Sequence, residues 1–219
     1  MKYLLKMLFV VLSLQFCAAQ DTIFLPTPDT TGGMPLMEAL ANRKSGRDYA
    51  DKKLDKKTLS NLLWAAFGIN RPESGKRTAP SAVNWQEIDM YVALPDAIYL
   101  YSATLHGLIK IKDGDYREGF GKQRFVKDAS IMIGFVSDYS KISPIGEKKK
   151  QTYSYVDTGF ISQNIYLFCA SEGLSTVVLG MINRDKISEI LELNNNQHVI
   201  FTQCVGYPAV EQTFPSIEE

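Results

Sequence analysis

Residues 157–181 read DTGFISQNIYLFCASEGLSTVVLGM, and this stretch contains both of the periodicities that define the fold. Apolar side chains recur at helical spacing between positions 157 and 172, which predicts a buried helix that ends at Gly173. The members of this apolar stripe are Ile161, Ile165, Phe168 and Cys169. A short strand, 176–179, follows directly, so the stretch predicts helix and sheet within one domain.

Upstream of this helix, three strand-length runs are separated by gaps of turn length. They are MYVAL (90–94), AIYLYS (97–102) and LIKI (108–111). Such short gaps predict an antiparallel meander. The run SIMIGFV (130–136) is apolar throughout, which is typical of a central strand covered on both faces.

The remaining segments indicate an α+β fold. Residues 21–33 hold prolines and paired glycines and read as an extended arm. We predict helices from Pro35, from Asp55 (a plausible N-cap) to Phe67, and over residues 185–193, with a last strand over 199–205. Strands and helices interleave without strict βαβ alternation. We therefore expect a central mixed, largely antiparallel sheet flanked by helices.

The first 19 residues have the layout of a secretory signal peptide. Lys2 and Lys6 flank the start of an apolar run, 8–16, and small residues lead to a cleavage site after Ala19. That run is too short to span a bilayer stably. Lipidation at Cys17 is disfavoured because bulky Phe16 stands where a small residue is needed. We expect an exported protein, periplasmic or secreted, with one domain over residues 20–219.

Composition excludes several classes of function. The chain has 24 basic and 24 acidic residues and no long basic run, so nucleic acid is not an expected partner. The sequence has two isolated histidines and no CxxC pair, so it predicts no metal site. Ser81 lacks a GxSxG elbow, which disfavours serine hydrolysis. Cys169 and Cys204 lie in apolar runs and are expected to be buried thiols, although the sequence leaves a bridge between them open.

A basic cluster, RKSGR (43–47), follows the first predicted helix. Arg43 and Arg47 are four residues apart, would share a helix face, and could hold a phosphate between their planar guanidinium groups. A solvated basic helix end, favourable to the helix dipole, is the alternative interpretation. A second unusual stretch, RTAPSAVNWQ (77–86), combines small and amide side chains with Trp85, which we expect to anchor the neighbouring strand.

Together these segments resemble the nitroreductase-like flavin enzymes. Four segments match that superfamily in order and spacing over nearly all of the predicted mature chain: RKSGR, PSAVNWQ (80–86), residues 157–181 and VGYP (205–208). Four segments are most similar to the SagB-type dehydrogenase branch, namely LLWAAFGINR, GKRTAPSA, YVALPDAIYLYS and DTGFISQN. That branch includes azoline dehydrogenases of thiazole- and oxazole-forming peptide pathways.

The resemblance implies FMN bound at the interface of a homodimer. It assigns the flavin phosphate and ribityl chain to Arg43, Lys44, Ser45 and Arg47. It places Pro80, Ser81, Ala82 and Asn84 against the isoalloxazine ring, supplied from the partner subunit. It matches Leu179 and Gly180 to the turn whose backbone N–H approaches flavin N5, and Gln123 to a polar flavin contact. Small side chains and amide groups suit the face and edge of a flat ring.

Two features depart from the family pattern. Many relatives carry a Lys or Arg after the VGYP strand, whereas residues 209–219, AVEQTFPSIEE, contain no cation. Either Arg77 or Arg184 replaces it, or the phosphate is held less tightly. Azoline dehydrogenases carry an adjacent Lys-Tyr pair, whereas here Lys150 and Tyr153 are separated and Phe160 stands in place of the family's His. Azoline oxidation is therefore disfavoured. Tyr153 and Tyr155 could still face a substrate, but we expect them to be tyrosines of an exposed loop.

The expected function is an FMN-dependent oxidoreductase. It would pass hydride or electrons through bound FMN to or from a small organic molecule, namely a nitroaromatic, a quinone or a modified peptide. NAD(P)H is a possible donor, although export makes the physiological donor an open question. The sequence assigns no catalytic acid or base. The alternative is a non-catalytic flavin-binding or partner-docking protein that keeps the fold.

Overall fold

The computed structural model describes residues 21–210. Within this range nine strands form a seven-stranded sheet and a separate hairpin, and four α-helices flank the sheet. The strands are β1 Thr22–Phe24, β2 Ile69–Arg71, β3 Lys76–Arg77, β4 Ile88–Ala93, β5 Ala97–Ser102, β6 Gly107–Asp113, β7 Ile131–Asp138, β8 Ser175–Leu179 and β9 Gln197–Gly206. The helices are α1 Leu36–Asn42, α2 Lys56–Phe67, α3 Glu147–Ser171 and α4 Arg184–Leu191.

The large sheet has the strand order β1-β6-β5-β4-β7-β9-β8. Every pair in it is antiparallel over the described residues. The predicted meander is confirmed as β4, β5 and β6, and the AIYLYS run coincides with β5. The expected α+β fold with a largely antiparallel sheet is therefore confirmed, and no parallel pair joins it within residues 21–210.

Strand β7 explains why residues 131–136 are apolar at successive positions. Ile131, Ile133 and Phe135 lie in the core cluster that includes α2 and α3. Met132 and Val136 lie in the other core cluster, which includes α4. Successive side chains of a strand point to opposite faces of the sheet. A strand in a sheet that is covered on both faces therefore needs apolar residues at odd and even positions alike.

Helices α2 and α3 cover one face of the sheet. Leu62 and Leu63 of α2, and Ile161 and Ile165 of α3, are fully buried in the cluster that includes the inner strands. Each such side chain contributes about 1.5–3 kcal/mol by leaving water. The two helices thus fix the rigid frame on which the loops of the candidate site rest.

Helix α3 begins ten residues earlier than the sequence pattern predicted, at Glu147 rather than near Asp157. Residues 147–156 are mostly polar and charged, so they carry little apolar periodicity, yet they contain no Pro or Gly to prevent helix formation. The expectation of an exposed loop at Tyr153 and Tyr155 is therefore wrong: both lie on α3.

The extended arm was also predicted incompletely. Thr22, Ile23 and Phe24 pair with β6 as an edge strand. Three residues are too few to show the alternation by which strands are recognised, so only the partner strand makes this segment β-structure.

Cys169 and Cys204 are both buried and free, so no bridge joins them. No helix within residues 21–210 combines the length and apolar character needed to cross a membrane. The predicted signal peptide, residues 1–19, lies outside the described residues.

The start of α2 provides a test of the fold. Asp55 accepts backbone hydrogen bonds from Lys57 and Thr58, each at 2.9 Å, and another from the Thr58 hydroxyl at 2.8 Å. Asp55→Ala should lower the free energy of unfolding by about 1 kcal/mol, and Asp55→Asn by less, because Asn also caps helices. Urea denaturation measures this loss.

A matched control is Asp51→Ala, at an exposed residue that caps no helix; its stability should be unchanged. The hydrogen bonds from Thr58 lower the pKa of Asp55 below 3.8. The capping contribution is therefore present above that pH and is lost on acidification. Equal stabilities of the Asp55→Ala and Asp51→Ala variants would contradict the assigned role.

Candidate functional site

The basic segment, residues 43–47, is not helical. Helix α1 ends at Asn42, and Arg43 has φ −59° and ψ 120°. The prediction that Arg43 and Arg47 share a helix face is therefore wrong. The segment instead runs beside edge strand β8, where the Gly46 N–H donates to the Thr176 carbonyl at 2.9 Å. A Cβ at Gly46 would collide with Ser175, so only glycine permits this approach.

Tyr166 of α3 fastens the basic segment to the frame. Its hydroxyl lies 3.1 Å from the Ser45 hydroxyl and accepts a hydrogen bond from the Val178 N–H at 3.0 Å. The Arg43 guanidinium lies 5.4 Å from the centre of the Tyr166 ring, within cation–π range. One buried tyrosine therefore links the basic segment, α3 and β8.

The three cations of the basic segment have no acidic partner in the described part of the chain. Lys44 and Arg47 are exposed and Arg43 is half-buried. The ion pairs found between residues 21 and 210 involve other residues. Cations held close together without carboxylates form an anion-binding surface, and guanidinium groups suit phosphate in particular.

The end of β8 lies farther along the edge strand that the basic segment contacts at Thr176. Leu179 is buried, while the next residue, Gly180, is exposed. A Cβ at Gly180 would meet only the Phe201 ring, at 3.4 Å. The Gln123 side-chain amide donates to the Met181 carbonyl at 3.4 Å, which places it beside this turn. The structure thus brings the basic segment, Leu179, Gly180 and Gln123 to one edge of the sheet.

The small-residue segment, residues 80–86, forms an irregular turn before β4. Val83, Asn84 and Gln86 have φ values of 51°, 60° and 50°. Asn accepts this left-handed region readily, but for a β-branched Val it costs about 1–3 kcal/mol. Val83 is also 81% exposed. A strained backbone with an exposed apolar side chain is typical of a surface shaped for contact.

Hydrogen bonds hold the small-residue segment in this conformation. The Ala82 N–H donates to Asp157 Oδ2 of α3 at 2.9 Å, and the Gln86 N–H donates to Ser81 Oγ at 2.9 Å. Pro80 and Asn84 are exposed. The segment therefore presents small and amide groups on a fixed backbone.

The two groups of predicted residues are attached to opposite sides of α3. The small-residue segment is bonded to Asp157 and the basic segment to Tyr166. Nine residues of α-helix make two and a half turns, so these positions lie about 13 Å apart along the axis and face opposite ways. Within one chain, the structure does not bring Pro80, Ser81, Ala82 and Asn84 together with the basic segment.

Trp85 does not anchor the sheet as predicted. It is half-buried, its ring contacts Tyr153 of α3 edge-on at 5.6 Å, and its indole N–H donates to the Ser143 hydroxyl at 3.1 Å. Its position is explained by the early start of α3, which the sequence pattern did not reveal. Trp85 therefore fastens the small-residue segment to α3.

Neither proposed replacement for the missing phosphate cation is free to act as one. Arg77 donates to Gln86 Oε1 at 2.7 Å and to the Phe67 carbonyl at 3.2 Å. Arg184 donates to the carbonyls of Val199 and Ile200 at 3.1 and 2.9 Å. Both guanidinium groups are engaged in holding the fold together.

The chain belongs to the nitroreductase family, whose sequence profile matches residues 40–207. A protein of Methanocaldococcus jannaschii assigned as a nitroreductase is 29% identical over 183 residues, with 79% of this chain and 91% of that protein covered. An NADPH-flavin oxidoreductase of Vibrio harveyi is 26% identical over 113 residues, 47% of its own length.

Solved structures agree with this assignment. The crystal structure of a protein assigned as a nitroreductase from Ralstonia eutropha JMP134 has a TM-score of 0.83 at 41% identity, over 87% of this chain and 90% of that one. Nitroreductase A of Vibrio parahaemolyticus has a TM-score of 0.60 at 21% identity over 82% and 70% of the two chains, a likeness of fold.

Sequence reasoning missed two residues that shape the site. Tyr166 sits in an apolar helical pattern and looks like an ordinary core aromatic, since nothing local shows that its hydroxyl bonds Ser45. Glu87 looks like a solvated acid before a strand, yet it is fully buried. Only contacts between distant segments reveal either role.

Tyr166→Phe tests the attachment of the basic segment. Loss of the hydroxyl leaves the Val178 N–H without its acceptor, so we expect stability to fall by about 1–2 kcal/mol in urea denaturation. Ser45→Ala removes a partner that is exposed, and should cost less. An unchanged stability in the Tyr166→Phe variant would show that the hydroxyl does not hold these elements together.

Proposed function

We propose that the protein is an FMN-dependent oxidoreductase. The observation that carries the proposal is the basic segment, where Arg43, Lys44 and Arg47 lie along the edge strand β8 without acidic partners among the described residues. The family and the flavin oxidoreductase named among its relatives support the same conclusion.

The residues present fit FMN. Arg43, Lys44 and Arg47 would neutralise the phosphate, with Ser45 as a hydroxyl partner for the phosphate or ribityl chain. Gly180 has no side chain to block a flat ring, and Gln123 offers an amide close to the same turn. Bound FMN would supply the hydride or electron chemistry, and the chain would supply binding, orientation and electrostatics.

We infer that the site is completed by a second copy of the chain. Opposite sides of α3 carry the two groups of site residues, so one chain cannot wrap both around one ligand. A twofold dimer would bring the small-residue segment of one subunit to the basic segment of the other.

Exposed apolar side chains support this dimer. They lie on α1 and in a stripe on α3, where they recur at spacings of three and four residues. These residues are Leu36, Met37 and Leu40 on α1, and Tyr153, Val156 and Phe160 on α3. Apolar stripes of this kind are typical of surfaces that another chain covers.

The substrate we propose is a small organic acceptor or donor, namely a nitroaromatic, a quinone or a modified peptide. NADPH is the natural first donor to test, because it appears in the names of two relatives. Membership of the SagB-type branch rests on the sequence resemblance. Export rests on the charged and apolar pattern of residues 1–19.

A non-catalytic flavin-binding protein is the second candidate. It is favoured by the separation of Lys150 from Tyr153, which leaves no adjacent Lys-Tyr pair, and by the absence of a cation from residues 209–219 of the sequence. The two candidates differ in whether a biological donor reduces the flavin.

The affinity for FMN tests the phosphate assignment. Replacing both Arg43 and Arg47 by Ala removes charge-assisted hydrogen bonds worth about 1.5–3 kcal/mol each, so FMN should bind at least about a hundredfold more weakly. Quenching of flavin fluorescence on binding measures this change. Riboflavin, which lacks the phosphate, should bind the variant and the unmodified protein about equally. Lys148→Ala with Lys149→Ala makes the same charge change elsewhere and should leave FMN affinity unchanged.

Turnover separates the two candidates. Anaerobic reduction of the bound flavin by NADPH or NADH, followed by reoxidation with a quinone or nitroaromatic, supports the enzyme. Reduction by dithionite alone supports the non-catalytic candidate. An unmodified protein that fails to bind FMN refutes both, and equal FMN affinity of the double Arg variant refutes the phosphate assignment.

A further inference from the structure

Glu87 is a buried acid at the junction between the small-residue segment and β4. It is fully buried, and neither carboxylate oxygen receives a hydrogen bond within the described part of the chain. A buried carboxylate without donors costs several kcal/mol, so a protonated form is expected unless a cation compensates it. The resemblance to known enzymes assigns this residue no role.

The neighbour of Glu87 is Asp157, which is 3% exposed. The two carboxyl groups are close enough to shift one another's pKa. Two adjacent buried carboxylates repel, whereas one shared proton converts the repulsion into a hydrogen bond. Asp157 Oδ2 at the same time accepts the Ala82 N–H at 2.9 Å.

The charges around the pair are few. From the turn after β7, Lys141 is the cation that acts on Glu87, but its ammonium group binds Asp89 Oδ1 at 2.6 Å. From α3 the facing group is Asp157 itself. Lys141 is therefore only a partial counterion, and the burial of Glu87 dominates.

We propose that Glu87 and Asp157 share one proton, and that this carboxyl pair is the positioning device of the small-residue segment. The protonated Glu87 donates to Asp157, which keeps Asp157 in place beneath the Ala82 N–H. This attachment holds the strained backbone at Val83 and Asn84. Loss of the proton brings two negative charges together under the turn and releases it.

The titration of the pair gives the direction of the pH dependence. Burial, and then the negative charge of Asp157, raise the pKa of Glu87 from its ordinary 4.5 to about 7. Burial also raises the pKa of Asp157. Because the folded pKa of Glu87 is above the unfolded value, its stabilising contribution is complete below pH 4.5 and is lost as the pH rises through about 7.

Under the proposed function the small-residue segment is the wall of the flavin ring, so flavin binding takes on the pH dependence of the carboxyl pair. The positioning itself does not require flavin. The test therefore uses the flavin-free chain, so that failure of the pair and failure of flavin binding are separate results.

Amide hydrogen exchange of the peptide that covers residues 80–88 tests the pair. At about pH 4, below the ordinary pKa of a glutamate, the unmodified protein and Glu87→Gln should exchange equally, because both donate to Asp157. At about pH 8, above the raised pKa, the segment of the unmodified protein should exchange faster than that of Glu87→Gln, by up to about 300-fold, the factor that corresponds to the rise of the pKa from 4.5 to about 7. Comparing the variants at one pH cancels the intrinsic exchange rate.

Glu118→Gln, at an exposed glutamate, is the matched control and should follow the unmodified protein at both pH values. Asp157→Asn provides a second test that does not need the Glu87 variant to fold. It keeps an acceptor for Ala82 but removes the negative charge beside Glu87, so opening of the segment should move to lower pH.

Equal exchange of the unmodified protein and Glu87→Gln at both pH values would overturn the proposal. So would a transition in Asp157→Asn at the same pH as in the unmodified protein. Faster exchange spread over the whole chain of Glu87→Gln would also contradict it, since it would assign Glu87 a role in global stability alone.

Discussion

The geometry of α3 is the constraint on which the rest of the site depends. The helix packs its apolar stripe on the sheet, and it holds one loop through Asp157, near its middle, and the other through Tyr166, closer to its C-terminal end. With 3.6 residues per turn, positions nine residues apart cannot face the same way. Burial of the helix therefore fixes both loops and also keeps them apart.

The two sides of α3 differ in the charges that they carry. The side held by Tyr166 carries cations without acidic partners among the described residues, which favours an anion. The side held by Asp157 carries two buried acids, which disfavour a second negative charge and favour a shared proton. In the proposed dimer, the phosphate of FMN would meet the first side of one subunit, and the neutral flat ring would meet the second side of the other subunit.

Much of the fold was accessible from the sequence because its signals are local. The apolar run that became β7, the cap at Asp55 and the turns between β4, β5 and β6 each have a physical cause within a few residues. The start of α3 was missed because polar helices lack an apolar stripe. The edge strand β1 was missed because its structure depends on a partner that is distant in sequence.

The candidate site was accessible only in part, for the same reason. The sequence shows that residues 43–47 are basic, but their extended path along β8 depends on contacts with Thr176 and Tyr166. The roles of Arg77 and Arg184 as structural donors to carbonyls, and the burial of Glu87, depend on contacts between distant segments. Such contacts leave no periodic signature.

The central claim is that two chains complete one flavin site. Co-expression of two differently tagged chains tests it, one with Arg43→Ala and Arg47→Ala, the other with Val83→Asp and Asn84→Asp. Each homodimer should lack flavin, whereas hybrids purified through both tags should carry one intact site, or about half the flavin of the unmodified dimer. Hybrids without flavin, or full flavin in either homodimer, would contradict a site shared between subunits.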